Sequence, residues 1–135
     1  MQFSYFVGVD ISKDTLDAAL YPSRDRKTDF LHFANSTKGL GEMMSWLKSR
    51  GVKSSELLIC AEHTGIYTNT LIAFAHKKGI ALSLNSPLDI KRSIGLARGK
   101  NDAVDAARIA EFAYTRRDKL RLYEKPSEGI IKLQY

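Results

Sequence analysis

The hydrophobic period of this chain changes near Asn35, and that change dictates how its layers are built. Before it, Phe3–Ile11, Thr15–Tyr21 and Thr28–Ala34 are short stretches rich in aromatic, aliphatic and β-branched residues, the last two separated by the polar turn Pro22–Lys27. They read as three strands in an antiparallel meander. After the cap candidates Asn35 and Ser36, the residues Leu40, Met43, Met44 and Leu47 recur at helical spacing until Gly51, a helix stop. Strands and helices then alternate. Leu57–Ala61 is continuously apolar, as expected of a parallel strand covered on both faces. A helix opens at Thr64 and Gly65, carries Leu71, Ile72, Phe74 and Ala75, and stops at Gly79; Ile80–Leu84 is the fifth strand. A brief helical or irregular piece ends at Gly95, Leu96–Asn101 is a basic, flexible loop, and an alanine-rich helix runs from Asp102 to about Leu120. Three meandering strands, helix, strand, helix, strand and helix is the order of a ribonuclease H-like α/β fold, with a mixed five-stranded sheet and flanking helices.

At 135 residues and 44% hydrophobic content the chain has room for one buried core and is too short for two ordinary domains. The net charge of +6 favours an anionic partner, and its location is more telling than its size. Between Ile90 and Lys125 ten basic residues stand against five acidic ones, so +5 of the +6 falls there. The lone Cys60 has no partner for an internal disulfide and belongs to no thiolate cluster; it reads as a small buried hydrophobe in a reducing cytosol. No apolar run approaches the roughly 20 residues of a membrane span, and no signal-peptide pattern opens the chain. The expectation is a soluble, cytoplasmic protein without membrane contact.

Four carboxylates carry the chemistry. In the first strand Tyr5, Val7 and Val9 face one way and Phe6, Gly8 and Asp10 the other, so Asp10 lies on a sheet face near the strand's end. Glu62 follows the fourth strand directly. On the last helix Asp102 and Asp105 are about 60° apart, with Ile109, Phe112 and Ala113 continuing the same side toward the core. Taken singly, each has an ordinary explanation. Asp10 reads equally as a solvated strand end, Glu62 as a loop start or an N-terminal helix charge, and Asn101, Asp102 and Asp105 as caps and first-turn acids. Together they come from three elements that this order brings to one end of a sheet. Clustered buried carboxylates cost several kcal/mol each unless something compensates. One or two divalent cations, Mg2+ by default with Mn2+ as a substitute, supply the compensation and suit phosphodiester chemistry.

Lys13, close to Asp10, and Arg98 and Lys100, in the glycine-flanked loop before the acidic pair, are candidate phosphate contacts; Arg116 and Arg117 extend the basic set for nucleic acid. For each, a solvated surface charge is the competing reading. His63 beside Glu62 is a ligand, a proton shuttle or an ordinary loop histidine, while His32 and His76 show no partnering pattern.

Three blocks resemble those of the DEDD transposases, insertion-sequence recombinases related to the Piv-type DNA invertases. They are Val7-Gly8-Val9-Asp10-Ile11-Ser12-Lys13, Ala61-Glu62-His63-Thr64-Gly65-Ile66-Tyr67 and Lys100 through Ala110. The resemblance implies a RuvC-like domain over residues 1–125 in which Asp10, Glu62, Asp102 and Asp105 coordinate Mg2+. It implies DNA strand exchange, a structured guide RNA in some members, and a homo-oligomer for the full-length protein. It also implies a nucleophilic serine in a C-terminal domain. None of Ser4, Ser12, Ser86 or Ser93 sits in such a motif. Residues 126–135 are accordingly expected to begin a linker, and the chain to be an isolated N-terminal domain that does not recombine DNA by itself. Two alternatives stand beside this reading: a nucleic-acid-binding module whose acids are structural, and a Holliday-junction-resolvase-like nuclease that needs no serine.

Overall fold

In the first strand, alternate side chains divide between two cores, which requires layers on both sides of the sheet. The computed structural model describes residues 3–22, 29–63, 65–85 and 102–123, the side chains of 102–104 excepted. Its elements in chain order are β1 (Tyr5–Ile11), β2 (Thr15–Tyr21), β3 (Phe30–Ala34), α1 (Thr37–Ser49), β4 (Leu57–Glu62), α2 (Asn69–Lys78), β5 (Ala81–Asn85) and α3 (Asp102–Thr115). The described strands form one sheet in the order β3-β2-β1-β4-β5. The meander is antiparallel, β1 with β2 and β2 with β3, whereas β4 pairs parallel with both β1 and β5. This is the mixed five-stranded sheet that the element order predicts.

Val7, Val9 and Ile11 of β1 join Leu16, Ala18 and Leu20 of β2 and Ile59 and Ala61 of β4 under α1 and α2, which contribute Leu40, Met43, Leu47, Leu71 and Phe74. Phe6, Leu58 and Cys60 point the other way and pack against Ile109, Phe112 and Ala113 of α3. The expected parity of β1 and the expected apolar side of α3 are both observed.

Gly8 fixes how closely α3 approaches the sheet. A Cβ at this position would lie 2.2 Å from both the Ala106 carbonyl oxygen and the Ala110 backbone nitrogen. The helix therefore rests its backbone on Gly8, with Ala106, Ala110 and Ala113 as the small residues that allow it.

Several boundaries differ from the sequence reading. Ser36 is the N-cap of α1, accepting a hydrogen bond from the Gly39 amide at 3.0 Å, and Asn35 serves elsewhere. A 3-10 turn, Gly65–Thr68, precedes α2, which ends at Gly79 in the left-handed conformation. Helix α3 ends at Thr115 rather than near Leu120. Its chain turns there so that Leu120 and Leu122 pack on the second core, and the Tyr123 amide donates to the Leu82 carbonyl at 2.7 Å along the outer edge of β5. The expected brief piece up to Gly95 and the basic loop at 96–101 lie outside the described residues, as do 126–135. No described helix is long and apolar enough to cross a membrane.

Candidate active site

Glu62, the last residue of β4, is only 7% exposed. Val9 pairs with Ala61 in the parallel β1–β4 ladder, so Asp10 and Glu62 are the next residues along on adjacent strands. Both continue the parity of Gly8 and Cys60 and face the α3 side. Strands in a sheet are about 4.8 Å apart, which makes the two carboxylates near neighbours.

Helix α3 covers the same face of the sheet. Phe6 at the far end of β1 meets Tyr114 edge to face, with ring centroids 5.7 Å apart, and Gly8 lies between Ala106 and Ala110. Helix and strand therefore run in opposite directions. Two further strand residues advance about 6.6 Å, equivalent to about four helical residues at 1.5 Å each. That brings Asp10 level with the helical turn holding Asp102 and Asp105. The Asp105 Oδ1 atom is buried and accepts no hydrogen bond among the described residues, a condition that normally calls for a missing partner.

The loops that follow Asp10 and Glu62 are tied together. Asn35 Nδ2 donates to the Ser12 carbonyl and to the Tyr67 carbonyl, both at 2.9 Å, and so joins the β1–β2 turn to the turn after β4. Ser12 closes its own turn through Thr15, with the two hydroxyl oxygens 2.7 Å apart. Asn35, read from sequence as a helix cap, is thus a clamp between the two loops. Nothing local in the sequence distinguishes the two roles.

The donor set consists of carboxylate oxygens, hard ligands suited to Mg2+ or Mn2+. Cys60, beneath Glu62, adds no thiolate: burial pushes its pKa up to about 12, opposed by a hydrogen bond from Asn85 and reinforced by the Glu62 charge. Among the described side chains, which leave out Asp102, no three His, Cys, Asp or Glu groups are gathered closely enough to hold a metal ion. Carboxylate oxygens and the buried Asp105 Oδ1, which has no hydrogen-bond partner among the described residues, are chemically suited to a divalent cation.

The other candidates divide. His63 is exposed, and its Nδ1 accepts from the Gly65 amide at 3.3 Å, an ordinary loop contact. Lys13 is exposed in the turn just beyond Asp10. Arg98 and Lys100 lie outside the described residues. Arg116 and Arg117 follow the opposite end of α3, about 20 Å from Asp102 along the helix axis. Arg117 is committed there, its guanidinium 4.1 Å from the Tyr114 ring centroid and 2.7 Å from the Tyr114 carbonyl. The structure does not bring this pair to the carboxylates. His32 requires a correction: its Nδ1 is 2.6 Å from Asp17 Oδ1, a pairing that depends on the β2–β3 register.

A mixed sheet of this order with helices on both faces is the ribonuclease H-like fold. Thermus thermophilus RuvC, in a structure with a Holliday junction substrate, superposes with a TM-score of 0.56 over 88% of this chain and 99% of that one, at 11% identity. A second T. thermophilus RuvC structure gives 0.52 over the same shares. The transposase family model of the DEDD, IS110 type matches residues 7–135, and the chain belongs to that family. It is 29% identical over 131 residues to the pilin gene-inverting proteins of Moraxella bovis and Moraxella lacunata. The match takes in 95% of this chain and 39% of the length of those relatives.

Proposed function

We propose that this chain is the metal-dependent catalytic domain of a DNA transposase or site-specific recombinase, with Asp10, Glu62, Asp102 and Asp105 holding Mg2+ or, in substitution, Mn2+. The observation that supports the reading is that α3 rests its backbone on Gly8 of β1 while β1 and β4 pair in parallel, so the strand ends bearing Asp10 and Glu62 and the first turn of α3 lie at one end of the sheet. Asp10, Glu62, Asp102 and Asp105 would hold the cations, whose chemistry when bound would be to activate an attacking oxygen and stabilise the leaving oxygen of a phosphodiester. The protein's own part is to hold the acids apart from bulk water, with Asn35 keeping the two acid-bearing loops in register. Lys13 contacts the DNA backbone next to the acids, and Arg98 and Lys100 do so from the segment before α3. Arg116 and Arg117 serve a more distant stretch of nucleic acid.

Residues 1–125 form the catalytic domain and 126–135 begin a linker. The pilin gene-inverting relatives extend well beyond the matched length; a guide RNA contact and oligomer formation are part of the proposal for the whole protein only. In that reading the matched domain binds cation and DNA. The working place is the cytoplasm, on bacterial DNA.

Mn2+ binding followed by calorimetry on the chain and on Asp10→Asn and Glu62→Gln tests the reading. Loss of affinity in both variants, with folding intact by circular dichroism, is the expected result. Unchanged affinity in either leaves that residue outside the centre, and unchanged affinity in both leaves a nucleic-acid-binding module with structural acids. A second reading, a nuclease for branched DNA, draws on the 99% coverage of the RuvC chain. It expects Mn2+-dependent cleavage of a four-way junction by this chain alone.

A further inference from the structure

Arg108 of α3 is a cation that the carboxylate chemistry leaves without a task. The residue is half-buried, and its Nη1 atom is fully buried and donates to no acceptor among the described residues. Arginine cannot shed its charge, so an orphaned inner nitrogen is costly unless an anion arrives to accept from it. The helix sets this nitrogen beside the acids. Around α3, measured from the line of Ile109 and Ala113 that faces the sheet, Tyr114 lies to one side and Asp105, Arg108 and Phe112 lie to the other. Tyr114 packs on Tyr21 of β2, with ring centroids 4.7 Å apart. Because β2 and β4 flank β1 on opposite sides, the flank with Asp105 and Arg108 faces β4, the strand that ends in Glu62. Residues three apart on a helix have Cβ atoms about 5–6 Å apart, close enough for an Asp–Arg pair. That pair is not made: Asp105 Oδ1 and Arg108 Nη1 are both buried, and neither bonds to the other. A ligand that brings a cation to the carboxylate and an anionic oxygen to the guanidinium would satisfy both.

We propose that Arg108 is a substrate-binding residue whose guanidinium donates to a non-bridging oxygen of the DNA phosphodiester beside Asp105. The inference rests on the functional reading above, because it needs a phosphodiester at the carboxylates. Charge balance agrees with it. Four carboxylates offset two divalent cations, which leaves the charge of the phosphodiester itself for a cation of the protein. Arg108 is placed on a helix with its inner nitrogen already out of water, so its hydrogen bond to a phosphate is stronger than a contact from the exposed Lys13. The planar fork also makes lysine an unequal replacement, since an ammonium supplies the charge without the paired donors.

The test follows binding of a fluorescent DNA duplex by anisotropy over a range of salt, with Ca2+ as a hard cation for the same oxygen ligands. Mn2+ affinity without DNA is measured in parallel by calorimetry, on the chain and on Arg108→Gln, Arg108→Lys, Asp10→Asn and Glu62→Gln. Arg108→Gln is expected to weaken DNA binding about tenfold, as loss of a hydrogen bond between charged groups does. It should also lower the salt slope by about 0.9, the share of one phosphate, and leave Mn2+ affinity unchanged or raised because a nearby positive charge is gone. Arg108→Lys should keep the slope and bind DNA more weakly than the parent. DNA affinity and slope equal to the parent's in Arg108→Gln overturn the proposal. So does weaker Mn2+ binding in that variant at an unchanged slope, which makes Arg108 a structural partner of the acids, and so does a parent chain that holds Mn2+ but no DNA. Should Arg108→Gln fail to fold, Arg108→Lys decides, and parental DNA affinity in it overturns the proposal. If Asp10→Asn and Glu62→Gln both bind Mn2+ as the parent does, the cation centre fails on its own account and the role of Arg108 fails with it.

Discussion

Gly8→Ala is the most direct perturbation of the seat on which α3 rests. The added Cβ would meet the Ala106 oxygen and the Ala110 nitrogen at 2.2 Å, both backbone atoms, whereas ordinary contact begins at 3.4 Å. The helix must withdraw by about 1 Å, and a gap of that size forfeits a quarter to a half of the dispersion energy of the atoms it separates. Ile109, Phe112 and Ala113 of α3 all lose close packing against Phe6, Leu58 and Cys60. Overpacking of this kind costs about 1–3 kcal/mol, and the backbone origin of both clashes puts Gly8→Ala at about 3 kcal/mol. For a domain of this size that lowers the melting temperature by roughly 10 °C. Gly41→Ala is the control: its Cβ would meet nothing within 4 Å, and in the middle of α1 it gains helix propensity worth about 0.5–1 kcal/mol. The assay is thermal and urea unfolding of both variants followed by circular dichroism. Because withdrawal also carries Asp102 and Asp105 away from Asp10, Mn2+ should stabilise Gly8→Ala less than it stabilises the parent. A Gly8→Ala protein melting within about 2 °C of the parent would refute the seating of α3 on β1 and the convergence of acids that follows from it.

Three further outcomes are expected. Asn35→Ala removes both 2.9 Å bonds across the two loops and should cost about 1–2 kcal/mol in urea unfolding, with weaker Mn2+ binding; an unchanged midpoint contradicts the clamp. Arg50→Ala leaves the buried Asp29 carboxylate without the guanidinium that meets it at 2.8 Å, and should cost about 3 kcal/mol; a loss below 1 kcal/mol would show the ion pair to be replaceable by solvent. Cys60 should resist an aromatic disulfide reagent until the chain unfolds. Its folded pKa of about 12 lies above the ordinary 9.0, so between those values the native state holds a proton that the unfolded chain has released, and stability falls as pH rises, by up to about 1.4 kcal/mol per unit. Cys60→Ala should lose that part of the slope between pH 9 and 11, and an identical slope in both proteins would contradict it.

What the sequence revealed and what it concealed follow from how local each signal is. The alternation in β1 and the spacing of Asp105, Ile109, Phe112 and Ala113 are properties of single elements, so the faces carrying Asp10 and Asp105 were legible without the fold. Glu62 was legible because it terminates a continuously apolar strand. Asp17 was not, because β2 reads as a strand with its polar residue on an unremarkable alternate face, and only the pairing with β1 and β3 brings it between Asp10 and His32. The pairing of His32 with Asp17 has no local signal for the same reason. Asn35 has the composition of a helix cap and lies one residue before the true cap, Ser36. Its distant partner, Tyr67, is 32 residues away, a separation no local pattern spans. The early end of α3 likewise reflects the pull of the second core on Leu120 and Leu122, a tertiary effect that outweighs local propensity.

The return of the chain after α3 has a consequence for self-association. A bare edge strand is a template on which another chain can add, and β5 is an edge of the sheet. The Tyr123 amide occupies the Leu82 carbonyl, and the Arg121 carbonyl accepts from Ser83 Oγ at 3.2 Å, so part of that template is already filled from within the molecule. The segment that ends the helix therefore also acts as a guard strand. Shortening the protein at Thr115 would expose the β5 edge and favour edge-to-edge assembly, with concentration-dependent light scattering as its signature.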